Sequence, residues 1–173
     1  RADQLDDHRL ERGLTDRQRA GEPGVLAARP EREGRVHDHV GTGRGEALRE
    51  RGHDVRAVVT TTPAIASWAA ERSIPVIGSP IRDLARDLAS VEYDWFFSIA
   101  NLRIVPEPVW RRAKAGAANF HDGPLPRYAG LNTPAWAILA GETEYGVTWH
   151  ALTDEIDQGE ILGEAALEIS DDD

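Results

Sequence analysis

The chain of 173 residues has no cysteine and no methionine, and Lys114 is the one lysine among its 20 basic residues. Without cysteine there is no disulfide, no thiolate nucleophile and no zinc–thiolate centre. That composition agrees with a reducing compartment, and cytoplasmic placement is the expectation. No apolar run approaches the ~18 residues that a spanning helix needs, and nothing reads as a charged-then-apolar leader. Neither membrane nor secretion is therefore expected. The lack of methionine even at position 1 predicts a processed or partial reading of a longer product.

Charge of one sign is also scarce where the pattern is best. The formal net charge is -10, but residues 1–55 carry 11 Arg against 12 Asp and Glu, while residues 56–173 carry 9 basic and 18 acidic groups. Phosphate backbones call for clustered Lys and Arg, so nucleic acid is not an expected partner. A hydrophobic fraction of 40% and a mean hydropathy of -0.47 are polar for a compact enzyme, which implies that part of the chain does not build core. Residues 1–44 fit that description. They hold none of the 11 aromatics, and Leu10, Leu14, Val25 and Leu26 cannot form a core alone. This segment is expected to be disordered or misread, and residues 45–173 to be the domain. Gly41-Thr42-Gly43-Arg44-Gly45 resembles a phosphate-binding loop, but Arg35–Val40 before it is a poor buried strand. A flexible linker is the better reading there.

From Gly45 onward the pattern is regular. Glu46–Arg51 predicts a short helix closed by Gly52, and Val55–Val59 a strand. Thr62-Pro63 opens a helix to Glu71; Val76-Ile77 is a short strand; Ile81–Ala89 is amphipathic. Asp94–Ala100 is a continuous apolar run too short for a helix, hence a buried strand. Pro106–Lys114 reads as a helix, Ala117–Phe120 as a strand, and Asn132-Thr133-Pro134 as a helix start that runs to Gly141. Tyr145–Leu152 and Glu160–Ile169 alternate as strands and are close enough to pair antiparallel. Strands separated by helices predict an α/β fold, with a Rossmann-like, mostly parallel sheet, helices on both faces and an antiparallel edge.

In such a sheet the binding crevice lies beyond the carboxyl ends of the strands. Asn119 and His121 fall there, two apart and so on one side of a strand. Asp157 falls in the turn after Tyr145–Leu152, and Asn101-Leu102-Arg103 follows Asp94–Ala100. Acyl transfer to an amine needs a fixed donor for an oxyanion, which an Asn amide supplies, and a group that moves protons near neutrality, which suits His. A carboxylate can orient the imidazole or hold a relay water. Alone, an Asn is equally a turn former, a His a structural group and Asp157-Gln158-Gly159 an ordinary turn. Arg103, Tyr128 and His150 read as a surface ion pair, a packed ring and an alternating strand residue. His121, Asp122 and Asp157 do not make up a zinc ligand set, so no metal is expected.

Three motifs together carry a resemblance: Asn119-Phe120-His121; Leu125-Pro126-Arg127-Tyr128-Ala129-Gly130; and Asp154-Glu155-Ile156-Asp157-Gln158-Gly159, with His121 and Asp157 separated by 36 positions. With Asn101–Val105, they make residues 45–173 similar to the folate-dependent formyltransferase family. The resemblance implies 10-formyltetrahydrofolate as formyl donor. It implies Asn119 on the formyl oxygen, His121 in charge stabilisation and proton transfer, and Asp157 positioning His121 and a relay water. It also implies backbone contacts to the pterin from Leu102, Arg103 and Val105 and from the Thr153–Asp157 loop, including Thr153, Asp154 and Ile156. Leu125–Pro126 becomes a cis candidate.

Many relatives read His-Pro-Ser-Leu-Leu-Pro where this chain has His121-Asp122-Gly123-Pro124-Leu125-Pro126. That variant looks like the formyltransferase domains attached to peptide-synthetase-type adenylation proteins. The expected acceptor is then a small or carrier-bound amine, with adenylation or carrier modules fused or nearby. Relatives also begin with an apolar strand and end with a helix. Residues 1–44 do not supply the first, so the N-terminal strand is expected to be missing, and Asp171-Asp172-Asp173 falls where the domain would be truncated. The alternatives are a formyltetrahydrofolate hydrolase that uses water as acceptor, and a non-catalytic folate-binding or packing fragment.

Overall fold

The computed structural model describes residues 25–28, 35–101 and 103–169. Leu102 and most of the segment 1–44 lie outside these residues. The described chain falls into two compact units, one reaching Ala118 and the other starting at Asn119.

In the first unit, strands β1 (Val25–Ala28), β2 (Val55–Val59), β3 (Val76–Ile77) and β4 (Trp95–Ile99) lie parallel in the order β3-β2-β1-β4. Helices α1 (Arg35–Glu50) and α2 (Pro63–Glu71) pack together, as do the short helices α3 (Leu84–Asp87) and α4 (Glu107–Trp110). Two expectations are corrected here. A central strand is present: β1 pairs with β2 on one side and β4 on the other. Four small apolar residues amid charges gave too short a signal to stand out. Gly41–Gly45 is neither a phosphate loop nor a linker, but part of α1. Gly45 has a packing reason: a Cβ there would sit 2.4 Å from the Trp68 ring of α2. Trp68 Nε1 and Arg72 Nε both donate to Glu46 Oε2, at 3.1 and 2.8 Å, and fasten the two helices.

The helix ends follow local chemistry. Gly52 closes α1 at φ 83, where a glycine carries no Cβ penalty. Pro63 opens α2 at a position where its missing N–H is harmless. α4 stops at Trp110, four residues short of the expected Lys114. Lys114 instead lies in a bend before β5 and donates its backbone N–H to Tyr93 O. Arg112 donates to the carbonyls of Leu88 and Ala89 at 2.8 and 2.9 Å, which satisfies the end of α3. Phe96, Leu84, Leu88 and Val109 are the largest fully buried apolar side chains.

The second unit takes up β5 (Gly116–His121) from Asn119 and adds α5 (Thr133–Leu139), β6 (Glu144–Ala151) and β7 (Ile161–Glu168), with strand order β5-β6-β7. β6 and β7 are antiparallel, as the alternation predicts. Gly141, at φ 70, ends α5 in a Schellman arrangement: its N–H bonds to Ile138 O, and the Glu142 N–H bonds to Ala137 O.

Candidate functional site

The pleat of β5 sends Phe120 to one side, where its ring meets Trp149 edge-on at 5.2 Å. Asn119 and His121 share the other side. On β6 the same alternation buries Gly146, Thr148 and His150 together. Asn119 Nδ2 donates to His150 Nε2 at 3.1 Å, and His150 Nδ1 lies 3.0 Å from Ala151 O. A carbonyl only accepts, so Nδ1 carries the hydrogen and Nε2 offers its lone pair. His150 is thereby a neutral imidazole that fixes one N–H of the Asn119 amide and leaves the second to donate elsewhere.

Burial pushes the His150 pKa below 6.5, against the opposing pull of Ala151 O and Asp157. The unfolded chain therefore takes up this proton first as the pH falls. The stability tied to a neutral His150 is complete above about pH 6.5 and is lost as the pH falls through the lowered folded value. His150→Gln keeps an acceptor for Asn119 but cannot titrate. Urea unfolding across pH 7.5 to 5 is expected to show a shallower loss of stability in this variant, and equal slopes would exclude the assignment.

Asp157 sits in the loop after β6 with φ 56, a left-handed conformation unusual for a residue with a side chain. Its Oδ2 accepts from Gly130 N at 2.8 Å. Its Oδ1 stands 3.6 Å from His121 Nδ1 and 3.7 Å from His150 Nε2, facing both rings without closing a hydrogen bond to either. Such contacts are commonly long before substrate is bound. His121 Nε2 lies 2.6 Å from Tyr128 O. Asn119, His121, Asp157 and His150 thus form one cluster, with His121 and His150 almost wholly buried.

The loop from Asp122 to Gly130 is folded to meet them. Leu125–Pro126 is cis. Thr148 Oγ1 donates to Gly123 O and accepts from Leu125 N, while Tyr128 N bonds to Pro124 O. Gly123 is required because a Cβ would come within 2.8 Å of Tyr128 O. The Asp157 turn has its own requirement: a Cβ on Gly159 would lie 1.7 Å from Ala151 O, a backbone atom that no rotamer change can move. Gly159→Ala is expected to destabilise the protein by at least about 2 kcal/mol in chemical denaturation. A smaller change would mean that the turn can shift.

The other residues expected to contact a pterin fall in both units. In the first, Val105 is buried and Arg103 is exposed. Asn101 Oδ1 accepts the Arg103 N–H at 3.0 Å, and the preceding Ala100 has φ 47, so this loop is held in a tight bend. A cavity of about 160 Å³ opens at the ends of β2, β3 and β4, lined by Thr60, Ser79, Pro80, Asn101 and Arg103 among others. In the second unit Thr153 Oγ1 bridges to the backbone of Glu155, while Asp154 and Ile156 are exposed.

Sequence reading passed over three contributors. His150 has a signal in hindsight: a histidine on the buried parity of an alternating strand needs a polar partner. The Tyr128 carbonyl and the Gly130 N–H are backbone groups and leave no mark in residue type.

The pattern of the formyl transferase family matches residues 46–173. The methionyl-tRNA formyltransferase of Anaeromyxobacter dehalogenans is 37% identical over 134 residues, which are 76% of this chain and 39% of that protein. The chain spans about two fifths of the length of the curated relatives it matches. Two solved structures share the fold. Glycinamide ribonucleotide transformylase 1 from Geobacillus kaustophilus has a TM-score of 0.70 at 18% identity, covering 88% of this chain and 85% of the other. A formyltetrahydrofolate deformylase from Pseudomonas syringae pv. tomato has a TM-score of 0.73 at 20% identity, covering 88% and 53%. With the family pattern spanning both strand-end loops and the whole Asn119–Gly159 cluster, the chain belongs to the formyl transferase family.

Proposed function

We propose that this protein transfers a formyl group from 10-formyltetrahydrofolate to an amine, with Asn119, His121 and Asp157 as its catalytic residues. The observation that carries the reading is the Asn119 amide, held by neutral His150 so that one N–H remains to donate beside an imidazole and a carboxylate. This donor set fits a formyl group: a fixed neutral donor for its oxygen, and a base and acid for the nitrogens on either side. The folate supplies a formyl carbon already activated by its attachment to nitrogen. Asn119 donates to the formyl oxygen as negative charge develops on it. His121 and Asp157 take the proton released by the attacking amine and return one to the departing folate nitrogen. Asp157 Oδ1, facing His121 Nδ1 across 3.6 Å, is placed to accept and hand on that proton, directly or through a water.

Arg103, Val105, Thr153, Asp154 and Ile156 remain the proposed pterin contacts, with Leu102. The proposed acceptor is a small or carrier-bound amine. Residues 119–169 contain one arginine against nine acidic residues, a balance that opposes a phosphate backbone. Adenylation or carrier modules, fused or nearby, are the proposed partners.

The reading is tested by incubating the protein with 10-formyltetrahydrofolate and three acceptor sets: free amino acids, carrier-bound aminoacyl groups and methionyl-tRNA. Formylated amine in either of the first two sets is the expected result. Formylation of the tRNA alone would overturn the acceptor, release of free formate without any amine would make water the acceptor, and no consumption of the folate would remove the activity.

A further inference from the structure

His121 and Asp157 each take one bond from the loop between β5 and α5: His121 donates to Tyr128 O, and Asp157 accepts from Gly130 N. The placement of both therefore depends on how firmly residues 127–130 are held. One side chain, that of Glu142, grips that segment. Glu142 Oε1 accepts from the Tyr128 hydroxyl at 2.9 Å and forms an ion pair with Arg127. The Arg127 guanidinium also lies 5.4 Å over the Tyr128 ring, and that ring meets Tyr145 edge-on at 5.6 Å. Tyr145 in turn donates its hydroxyl to Asp122 O at 2.7 Å, at the start of the same loop.

Glu142 is itself a rigid mount. Its backbone N–H closes the Schellman end of α5 on Ala137 O, and its side chain is only 19% exposed. A carboxylate so placed accepts two donors on one oxygen, one of them cationic, in a setting drier than open surface. Arg127 is 67% exposed, so the ion pair by itself contributes little. The hydroxyl bond, which fixes the residue whose carbonyl meets His121, is the more important of the two.

We propose that Glu142 is a positioning residue: through Tyr128 and Arg127 it clamps the loop whose backbone orients His121 and Asp157. This rests on the function proposed above for its kinetic consequence, but not for its structural one. A displacement of about 1 Å at a catalytic group can lower turnover by roughly a hundredfold. Loosening the clamp is accordingly expected to act on kcat and not on folate affinity.

The experiment compares Glu142→Ala, Glu142→Gln and Tyr128→Phe with the parent protein. Two readouts are taken on each: kcat and KM for formyl transfer, and the His121 ring nitrogen shifts with the exchange rate of the Gly130 amide by NMR. Glu142→Ala is expected to lower kcat about ten- to a hundredfold with KM within about twofold, to move the His121 ring signals and to speed Gly130 exchange. Glu142→Gln, which still accepts from the Tyr128 hydroxyl, should recover most of the loss, and Tyr128→Phe should show an intermediate loss. Unchanged His121 signals and Gly130 exchange in Glu142→Ala would overturn the proposal. So would a Gln variant as impaired as Ala. If Glu142→Ala does not fold, Tyr128→Phe decides the matter by the same two NMR readouts. A parent protein without turnover would remove the proposed function and leave the NMR comparison to judge the clamp.

Discussion

Asn119→Ala is expected to slow formyl transfer by about 30- to 1,000-fold, roughly 2–4 kcal/mol of barrier, with the dissociation constant for the folate changed less than about threefold. The separation follows from where the amide acts. In the proposed mechanism its second N–H meets the formyl oxygen most strongly once that oxygen carries charge, so removing it costs the transition state more than the bound ground state. A second effect accompanies the first. His150 Nε2 loses its donor while the ring is 2% exposed, and an unsatisfied buried acceptor costs about 1–3 kcal/mol of stability. Single-turnover kinetics with enzyme in excess, beside folate titration by fluorescence, distinguish these effects. An unchanged rate would end the oxyanion role for Asn119.

Asp157→Asn should reduce turnover by about 100- to 10,000-fold, the range for loss of a positioned proton-transfer group. The fold should survive, because an asparagine can still accept from Gly130 N and tolerates a left-handed backbone better than most residues. What disappears is the charge that His121 and His150 both face at 3.6 and 3.7 Å. Comparing kcat with the unfolding midpoint gives the answer. Lost activity with an unshifted midpoint supports proton transfer, whereas collapse of the fold would make Asp157 a structural residue.

Much of the fold was legible because its signals are local. Gly52 and Gly141 end helices with positive φ, Thr62-Pro63 begins one, and the strict alternation of Tyr145–Leu152 predicts a strand with one buried side. The first strand was not legible, since Val25–Ala28 is recognisable only by its neighbours β2 and β4, which are distant in sequence. Helix α1 was read only from Glu46 because the glycines at 41, 43 and 45 lower its local helix propensity, and Gly45 is needed by Trp68 rather than by the helix. At the site, Asn119, His121 and Asp157 were singled out by their side-chain types and spacing together with the family resemblance. Their supports were not. The Tyr128 carbonyl and Gly130 amide are features every residue possesses, and His150 looked like one more alternating strand position until its partner across the strands was known.

The positive φ at Asp157 has a meaning for how such a chain could drift. A left-handed backbone costs an ordinary residue about 1–2 kcal/mol, and glycine avoids that cost. The backbone alone would thus favour glycine at this position, and the carboxylate, through its bond from the Gly130 N–H and its proposed chemistry, opposes it. Asparagine, which keeps the bond from Gly130 and tolerates the left-handed backbone, is the replacement that position 157 accepts at the least structural cost, whereas Gly159 is needed by the turn on steric grounds in either case. The pair of positions therefore separates two kinds of constraint within one short loop: a residue retained in spite of the backbone, and a residue retained because of it.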